Sequence, residues 1–275
     1  MACKVEVLCI GNELLIGKTA NTNAQWLSER IVKLGGEVTR ITVVGDDVQL
    51  ISSTLREILG RKPDVVITSG GLGPTFDDKT LQAFSKAFKK PLQINRDALR
   101  LVGPKYRKIL KETFQLTAPR LKMAALPSGS KAIPNPVGTA PAVTLTERGV
   151  RFIILPGVPA ELQSIFEHSV AGLIRSLSGK QFFYETRLIV WGLLESQLAP
   201  MIDQVMENIP DIYVKSHARG GEGTEEGNIE LHFSTKASRS KLAEERIIKA
   251  ITLMSELLGR SRPDNWHSRV GGPKS

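Results

Sequence analysis

Acidic turns rich in glycine or proline follow four short apolar runs of the sequence, and they carry the residue types best suited to chemistry. They are residues 11–17 (GNELLIG), 45–47 (GDD), 69–78 (SGGLGPTFDD) and 156–161 (PGVPAE). Glycines let backbone N–H groups approach an oxyanion, and carboxylates bind hard divalent cations such as Mg²⁺. Together these residue types indicate a site for a phosphorylated ligand and a metal ion.

The third turn is the most specific of the four. Gly70, Gly71 and Gly73 predict a phosphate cradle, although no GK[ST] follows and the turn is therefore not a P-loop. Asp77 and Asp78 would repel such a phosphate unless a divalent cation lies between them. The alternative is structural, with Asp77 as the N-cap of the next helix and Asp78 in its first turn.

The catalytic prediction rests on carboxylates from three of these turns. We predict Asp47 and Asp78 as catalytic residues and as metal ligands, with Glu13 as a third ligand. Asp47 is the candidate base that orients a water molecule. Helix capping is the alternative explanation for Asp46 and Asp47.

Polar residues outside these carboxylates predict contacts to the ligand. Capping explains one of Asn21 and Asn23 at a helix start, and the pair suggests a contact to a ribose or a base. Residues 135–141 (NPVGTAP) predict a rigid loop with exposed backbone donors. The predicted binding set is Asn21, Asn23, Gly70, Gly71, Gly73, Pro74, Thr75, Asn135, Gly138, Thr139 and Gly157.

The elements that must position these turns alternate between strand and helix. Strands are predicted at residues 4–10, 37–44 and 64–68, and helices at 21–34, 48–59, 77–88 and 95–114. Successive β-α-β units pair in parallel with right-handed crossovers, which predicts an α/β fold with three layers and a mostly parallel sheet. Ligands bind at the carboxyl ends of such strands, so all four turns are expected at one edge.

The pattern changes after residue 179. Strands at 182–191, 212–216 and 228–234 and helices at 195–206 and 238–258 predict a second, smaller α+β domain. We therefore predict domains at 1–179 and 180–260. The tail at 261–275 has no periodicity and is expected to be disordered or vector-derived.

Composition narrows the class of protein. The chain has 275 residues, of which 41% are hydrophobic and 24% charged, which excludes a disordered, collagenous or disulfide-scaffold protein. The longest apolar stretch, residues 188–194, is too short to span a membrane, and no membrane partner is expected. Cys3 and Cys9 fit no metal motif, and the expected location is a reducing cytoplasm.

The net charge of +9 is concentrated rather than spread over the chain. Residues 86–122 contain eleven lysines and arginines and two acids. A solvated helix face explains this segment better than an anion-binding face, and no nucleic-acid partner is expected. Lys215, His217 and Arg219 could reach a phosphate, although a simple loop is the plainer interpretation.

Five segments, in this order along the chain, resemble the CinA-like family. They are residues 11–23 (GNELLIGKTANTN), 45–47, 69–78, 135–141 and 155–161 (LPGVPAE). The first domain of that family resembles the molybdopterin-binding fold of MoaB and MogA. Residues 191–203 (WGLLESQLAPMID) and 213–220 (YVKSHARG) resemble its KH-like second domain, as in archaeal members.

The resemblance implies a metal-dependent nucleotide pyrophosphatase acting on ADP-ribose or FAD-like compounds, with Mg²⁺, Mn²⁺ or Co²⁺ and as a homodimer. MogA-type relatives instead adenylylate molybdopterin. The alternative is therefore a protein that binds molybdopterin or a nucleotide, related to molybdenum cofactor biosynthesis, without hydrolysis. The amidase domain of bacterial relatives is not expected in this chain.

Overall fold

The chain divides into two compact units in the computed structural model, which describes residues 2–110, 117–179, 181–220, 227–260 and 267–271. The first unit comprises Met1–Val32 and Gly36–Gly179, and the second comprises Lys33–Gly35 and Lys180–Ser275. None of the helices in the described residues is long and apolar enough to cross a membrane.

The first unit contains eight strands and eight α-helices among its described residues. The strands are β1 (Lys4–Ile10), β2 (Glu37–Val44), β3 (Val65–Ser69), β4 (Leu92–Ile94), β5 (Ala125–Pro127), β6 (Lys131–Ile133), β7 (Ala142–Glu147) and β8 (Val150–Leu155). The helices are α1 (Asn12–Leu15), α2 (Thr22–Lys33), α3 (Val48–Arg61), α4 (Thr80–Phe88), α5 (Arg96–Leu110), α6 (Ala118–Lys122), α7 (Pro159–Ile165) and α8 (Ala171–Leu177). A π-helical turn at Phe166–Val170 joins the last two.

Six strands form the main sheet in the order β2-β1-β3-β8-β7-β6. The first four strands run parallel to one another, and β7 runs antiparallel to both of its neighbours, β8 and β6. All five residues of β3 are buried, as expected for a central parallel strand covered on both faces. The predicted α/β class with a mostly parallel sheet is confirmed.

The helices cover both faces of this sheet. On one face, Ile51 and Leu55 of α3 and Phe84 of α4 join the strand residues in one core, where Phe84 and Phe152 pack edge to face with ring centroids 5.5 Å apart. On the other face, Trp26 of α2 packs edge to face on Phe166, with 5.3 Å between the ring centroids. This arrangement gives the predicted three layers.

Strand β1 carries the two cysteines of the chain. Cys3 and Cys9 are both buried and free. Burial raises the pKa of the Cys3 thiol to about 11; Asp64 also raises it, and Arg151 opposes the shift. Burial also raises the pKa of Cys9. Both thiols therefore stay protonated near neutral pH and act as small apolar core residues.

The second unit is a four-stranded antiparallel sheet with two helices. Its strands are β9 (Phe182–Trp191), β10 (Ile212–Arg219), β11 (Asn228–Ala237) and β12 (His267–Gly271), in the order β10-β11-β9-β12, and its helices are α9 (Glu195–Asn208) and α10 (Ser240–Arg260). Leu188, Leu231 and Phe233 form a core with helix residues such as Ile247 and Met254. The predicted second, smaller α+β unit has this architecture.

Several local predictions need correction. Residues 267–271 of the tail that we expected to be disordered form β12, which pairs with β9 along its backbone. The helix predicted to begin at Asp77 begins at Thr80. Strands β4, β5 and β6 have only three residues each, too few for a periodic pattern to be visible. The predicted helical residues 111–114, and tail residues 261–266 and 272–275, lie outside the described residues.

Candidate functional site

Four turns meet at one edge of the main sheet because the strands that precede them are parallel neighbours. Ile10 is in register with Val44, Cys9 with Ser69, and Ser69 with Leu155. The chain therefore leaves β2, β1, β3 and β8 side by side. The predicted gathering of the four turns is what this register produces.

A cavity of about 390 Å³ lies at this edge. Its lining residues come from all four turns and from the loop before β7: Ile10, Gly11, Glu13, Asp46, Gly70, Gly71, Leu72, Gly73, Pro74, Asp77, Asp78, Thr139, Ala140, Pro156, Gly157, Val158 and Glu161. Five of these described residues are acidic, and none is lysine, arginine or histidine. We call it the acidic cavity.

The glycines of the third turn serve close packing as well as access. Gly70 has a φ of +111°, and a Cβ there would lie 2.2 Å from the carbonyl oxygen of Ile10. Its own N–H donates to the carbonyl of Leu155, with 3.1 Å between N and O. Gly71 has a φ of +69° and lies against the hydroxyl of Thr80, which donates to the carbonyl of Gly70 at 2.9 Å. Only glycine fits at either position.

Asp77 and Asp78 compete for one hydroxyl. The Thr75 oxygen lies 2.5 Å from Oδ1 of Asp77 and 2.6 Å from Oδ2 of Asp78, and the Thr75 N–H also donates to that Oδ2 at 2.8 Å. One hydroxyl has one proton, so it serves only one carboxylate at a time. The hydrogen bond from Thr75 lowers the pKa of Asp77, and nearby Lys122 and Lys79 add to the shift. Both carboxylates line the acidic cavity, and the proposed cap at Asp77 is not formed.

Asp46 and Asp47, neighbours in the second turn, accept hydrogen bonds from different parts of the chain. Asp47 is the N-cap of α3, and its Oδ1 accepts from the N–H groups of Gln49 and Leu50 at 2.9 and 2.8 Å. Asp47 does not line the acidic cavity, whereas Asp46 does. The Oδ2 of Asp46 accepts from the N–H of Asn12 at 2.8 Å, which ties the first turn to the second. The prediction of Asp47 as base and metal ligand is corrected on this ground: its carboxylate completes a helix end.

The predicted metal set of Glu13, Asp47 and Asp78 does not assemble. Glu13 folds over Gly11, and Asp78 lies against Gly73 and Thr75. In the part of the chain that the structure describes, no three acidic, histidine or cysteine side chains are grouped closely enough to hold a metal ion by themselves. Any ion held here must take other ligands from its substrate or from water.

Asn135 shapes a loop rather than facing a ligand. It is buried, its Nδ2 donates to the Ala140 carbonyl and to Oε2 of Glu161, and its Oδ1 accepts from the N–H of Gly138. Glu161 in turn lies against Gly138. Asn135 therefore positions Glu161, and neither Asn135 nor Gly138 is among the residues that line the acidic cavity. Thr139 of the same loop does line the acidic cavity.

The basic segment contributes two lysines to these loops. Lys105 on α5 donates to the carbonyls of Asn135 and Gly138, and Lys122 on α6 donates to the carbonyl of Thr75. Burial lowers the pKa of Lys105, which the charge of Glu161 partly opposes. These two lysines therefore bind loop carbonyls near the site, which goes beyond the solvated helix face that we predicted for the segment.

Asn21 and Asn23 line a second, smaller cavity of about 90 Å³, which shares Glu13 and Gly157 with the acidic cavity. Asn21 caps α2, since its Oδ1 accepts from the N–H of Ala24 at 3.1 Å. The Nδ2 of Asn23 donates to Ser69 Oγ and to the Gly157 carbonyl at 2.9 and 2.7 Å. These contacts fix its amide and leave its Oδ1 buried without a hydrogen-bond partner. Such an atom is costly to bury alone and is suited to accept from a ligand.

The family described as "Probable molybdopterin binding domain" matches residues 6–176, most of the first unit. The chain belongs to this family. The crystal structure of the protein CinA from Thermoplasma acidophilum, described as of unknown function, is 40% identical with a TM-score of 0.57, and the match covers 62% of this chain and 98% of that one. The expected CinA-like membership is therefore confirmed.

Two relatives match most of the chain. A protein of Pyrobaculum aerophilum is 41% identical over 252 residues, which are 92% of this chain and 93% of that protein. A protein of Aeropyrum pernix is 43% identical over 216 residues, 78% of this chain and 79% of that protein. Both alignments are longer than the first unit, so these two relatives also match part of the second unit.

Three cavity carboxylates, Asp46, Asp77 and Glu161, were absent from the predicted catalytic, binding and metal residues. A capping signal could have separated Asp46 from Asp47, because the N-cap immediately precedes the first helical residue, Val48. Glu161 lies in the first turn of α7, after a proline at the helix start, and its inward direction depends on Asn135, 26 residues earlier. Only the folded chain supplies that contact.

Proposed function

We propose that the acidic cavity binds a nucleotide diphosphate together with a divalent cation and hydrolyses its phosphoanhydride bond. ADP-ribose and FAD are the substrates that fit this chemistry. Water attacks one phosphorus, a new P–O bond forms and the anhydride P–O bond breaks. The products are AMP with ribose 5-phosphate, or AMP with FMN.

One observation carries the proposal: five carboxylates from four turns line one cavity without a basic side chain among its described lining residues. A nucleotide diphosphate is an anion, and carboxylates alone would repel it. The carboxylates would hold a divalent cation, which would offset that repulsion and supply Lewis-acid chemistry for hydrolysis. The acidic lining therefore supports a ligand that arrives with a metal ion.

The donor set fits Mg²⁺ in particular. Mg²⁺ usually takes one or two carboxylates from the protein and completes its shell with waters and substrate phosphates. Asp77 and Asp78, whose oxygens share a single hydroxyl proton, have lone pairs to spare for a cation. We assign the holding role to this pair. When bound, the cation neutralises charge on the phosphates; Mn²⁺ and Co²⁺ are to be compared with it.

The remaining roles fall to the neighbouring turns. Asp46, held by the N–H of Asn12, accepts the proton of the attacking water in place of Asp47. The backbone of Gly71–Gly73 lies beside the phosphates, and the unpartnered Oδ1 of Asn23 accepts from an N–H or O–H of the nucleoside. Glu161, positioned by Asn135, closes the acidic lining on the far side.

The test is AMP release from ADP-ribose and from FAD, with Mg²⁺, Mn²⁺ or Co²⁺ and with EDTA as the metal-free control. We expect metal-dependent release that falls at least 100-fold in Asp78→Asn and in Asp46→Asn. Asp47→Asn is the matched control, because it alters the adjacent carboxylate and caps the helix almost as well. Absence of AMP with every metal, from folded protein, would reject the proposal; equal losses in Asp46→Asn and Asp47→Asn would reject the assigned base.

A second candidate function is binding of a pterin without hydrolysis. The buried, unpartnered Oδ1 of Asn23 and the acceptor-rich cavity suit a donor-rich heterocycle, and the family is described as molybdopterin-binding. Calorimetry separates the two functions. Tight pterin binding that is independent of metal, with no AMP released from nucleotides, favours the pterin.

A further inference from the structure

The sheet of the second unit has one face on which α9 and α10 pack and an opposite face that neither helix covers. Alternation along β9–β11 sends Leu188, Leu231 and Phe233 to the helix side. The opposite side, which we call the open face, carries Arg187, Tyr213, Lys215, His217, Glu230 and His232. Cross-strand register places Lys215, His232 and Arg187 in one row, and His217 and Glu230 in the next.

A buried carboxylate organises the cations of the open face. Glu230 is 5% exposed. Its Oε1 accepts from Arg187 at 3.1 Å, its Oε2 accepts from Arg219, and Nε2 of His232 lies 3.1 Å from Oε1 without forming a hydrogen bond. Burial alone would raise the pKa of Glu230, but the hydrogen bond from Arg187 and the nearby His232 and Arg219 lower it. Two arginines are thereby held at fixed positions instead of moving freely in water.

Guanidinium groups held in this way keep further donors for a ligand. The Arg187 side chain is 34% exposed although its Nε is buried, and the Arg219 side chain is 63% exposed, so both guanidinium groups reach the surface. Lys215 is exposed beside them. Counting charged side chains by register, the face holds Arg187, Lys215, Arg219 and Lys236 against Glu185 and Glu230. It is therefore net positive even with both histidines neutral.

Aromatic side chains of tyrosine and histidine lie among these cations. Tyr213 is 58% exposed, and it precedes Lys215 on the same side of β10. The rings of His217 and His232 pack edge to face with centroids 5.0 Å apart. From Tyr213 to Arg219 the open side of β10 extends about 20 Å. Rings alternate with cations along this line.

We propose that the open face binds single-stranded nucleic acid, with bases stacked on Tyr213 and the histidine rings and phosphates bound by Lys215, Arg187 and Arg219. Exposed sheet faces that combine rings with cations suit unpaired bases, because every base has a π-face and every nucleotide a phosphate. A second copy of this chain is the poorer occupant, since a two-fold contact would set like charges against each other. The surface is distinct from the basic segment at residues 86–122.

Fluorescence polarisation of the full chain with labelled rU12 and dT12 tests the proposal and distinguishes RNA from DNA. A 12-base-pair duplex is the competitor that offers phosphates without free bases. Three phosphate contacts on a single strand predict a roughly 20-fold weaker affinity at 200 mM than at 50 mM salt. Binding of neither strand at 50 mM salt, or equal binding of the duplex, would overturn the proposal.

Variants locate the site. We expect Lys215→Glu with Arg219→Glu to weaken binding more than 10-fold, and Tyr213→Ala to weaken it about 10-fold through lost stacking. Lys249→Glu on α10 and Lys108→Glu in the basic segment are exposed charge reversals elsewhere and should change affinity less than 2-fold. Circular dichroism confirms that each variant is folded.

Two results would contradict the assignment. Equal losses in Lys108→Glu and in the Lys215/Arg219 variant would show non-specific attraction. A change of oligomeric state in the Lys215/Arg219 variant, measured by sedimentation and without a loss of oligonucleotide binding, would make the face a contact between copies. Asp78→Asn, which addresses the acidic cavity, should leave oligonucleotide binding unchanged, so the two proposals fail separately.

Discussion

The acidic cavity and the open face use carboxylates in opposite ways. Five carboxylates line the cavity without a basic residue among the described lining residues, whereas Glu230 on the open face is surrounded by Arg187, Arg219 and His232. The cavity carboxylates, on which Lys122, Lys79 and Lys105 act from outside the lining, keep oxygens that a ligand could reach. Glu230, whose charge is balanced, instead fixes the groups around it. The same residue type therefore lines the proposed ligand site in one unit and positions the surrounding cations in the other.

The largest effect on stability is expected at Gly70, where the backbone of the third turn lies close to the backbone of β1. Gly70→Ala places a Cβ 2.2 Å from the carbonyl of Ile10 at a φ of +111°, and it should lower the free energy of unfolding by about 3 kcal/mol or more. Gly149→Ala is the control, since its φ of +84° is also positive but its Cβ meets open space. Urea unfolding should show a cost of about 1–2 kcal/mol there. Equal costs would mean that the third turn yields to the added methyl group.

The next largest effect is expected from a divalent cation, which should stabilise the protein through the acidic cavity and not through the open face. If the cavity carboxylates hold Mg²⁺, metal at 100 times its Kd adds about 2.7 kcal/mol to the free energy of unfolding. Thermal unfolding should show this in the wild type and in Lys215→Glu, but not in Asp78→Asn. Stabilisation that survives in Asp78→Asn would place the metal elsewhere.

Removing one carboxylate from each region should have unequal effects. Glu230→Gln removes the buried charge that pairs with Arg187 and Arg219, and it should cost about 1–2 kcal/mol of stability after allowance for the exposure of the arginines. Glu13→Gln in the cavity should stay within about 0.5 kcal/mol of the wild type. Chemical unfolding of the two variants measures the contrast, and a costly Glu13→Gln would show that the cavity acids are structural.

The smallest expected effect is the pH dependence of Glu230. Its pKa is lowered in the fold from an ordinary value of 4.5, so its contribution to stability is present above pH 4.5 and is lost as pH falls through the depressed pKa. The stability difference between wild type and Glu230→Gln should therefore shrink below pH 4.5. Urea midpoints between pH 3 and pH 7 measure it, and a constant difference would contradict the ion pairs described.

The longer strands of the fold are predictable from local patterns. The residues of β1, β2 and β9 follow from patterns of seven to ten residues, and parallel order then brings the four turns to one edge. Strand β10 extends to Arg219, beyond the predicted end at Ser216, so residues interpreted as a loop belong to the open face. Short antiparallel additions and strand ends depend on tertiary pairing that a local pattern does not contain.

The site is harder to predict because the type of a residue does not determine where its side chain points. Asp46 and Asp47 are identical neighbours, and only the start of α3 decides which one caps and which one faces the cavity. Asn135 resembles a ligand contact in a rigid loop, yet its buried amide satisfies the backbone and Glu161. The glycines of the third turn correctly predict close approach, but the group that approaches Gly70 is the carbonyl of Ile10.

The two buried thiols of β1 have a practical consequence. Because Cys3 and Cys9 are shielded and their thiolates are disfavoured, a cysteine introduced on the surface should be the one that maleimide reagents modify. Val137→Cys, in the loop that Asn135 shapes, replaces a residue that is 61% exposed. Dyes or spin labels can thus be attached there without first deleting the native cysteines, giving a reporter of loop movement.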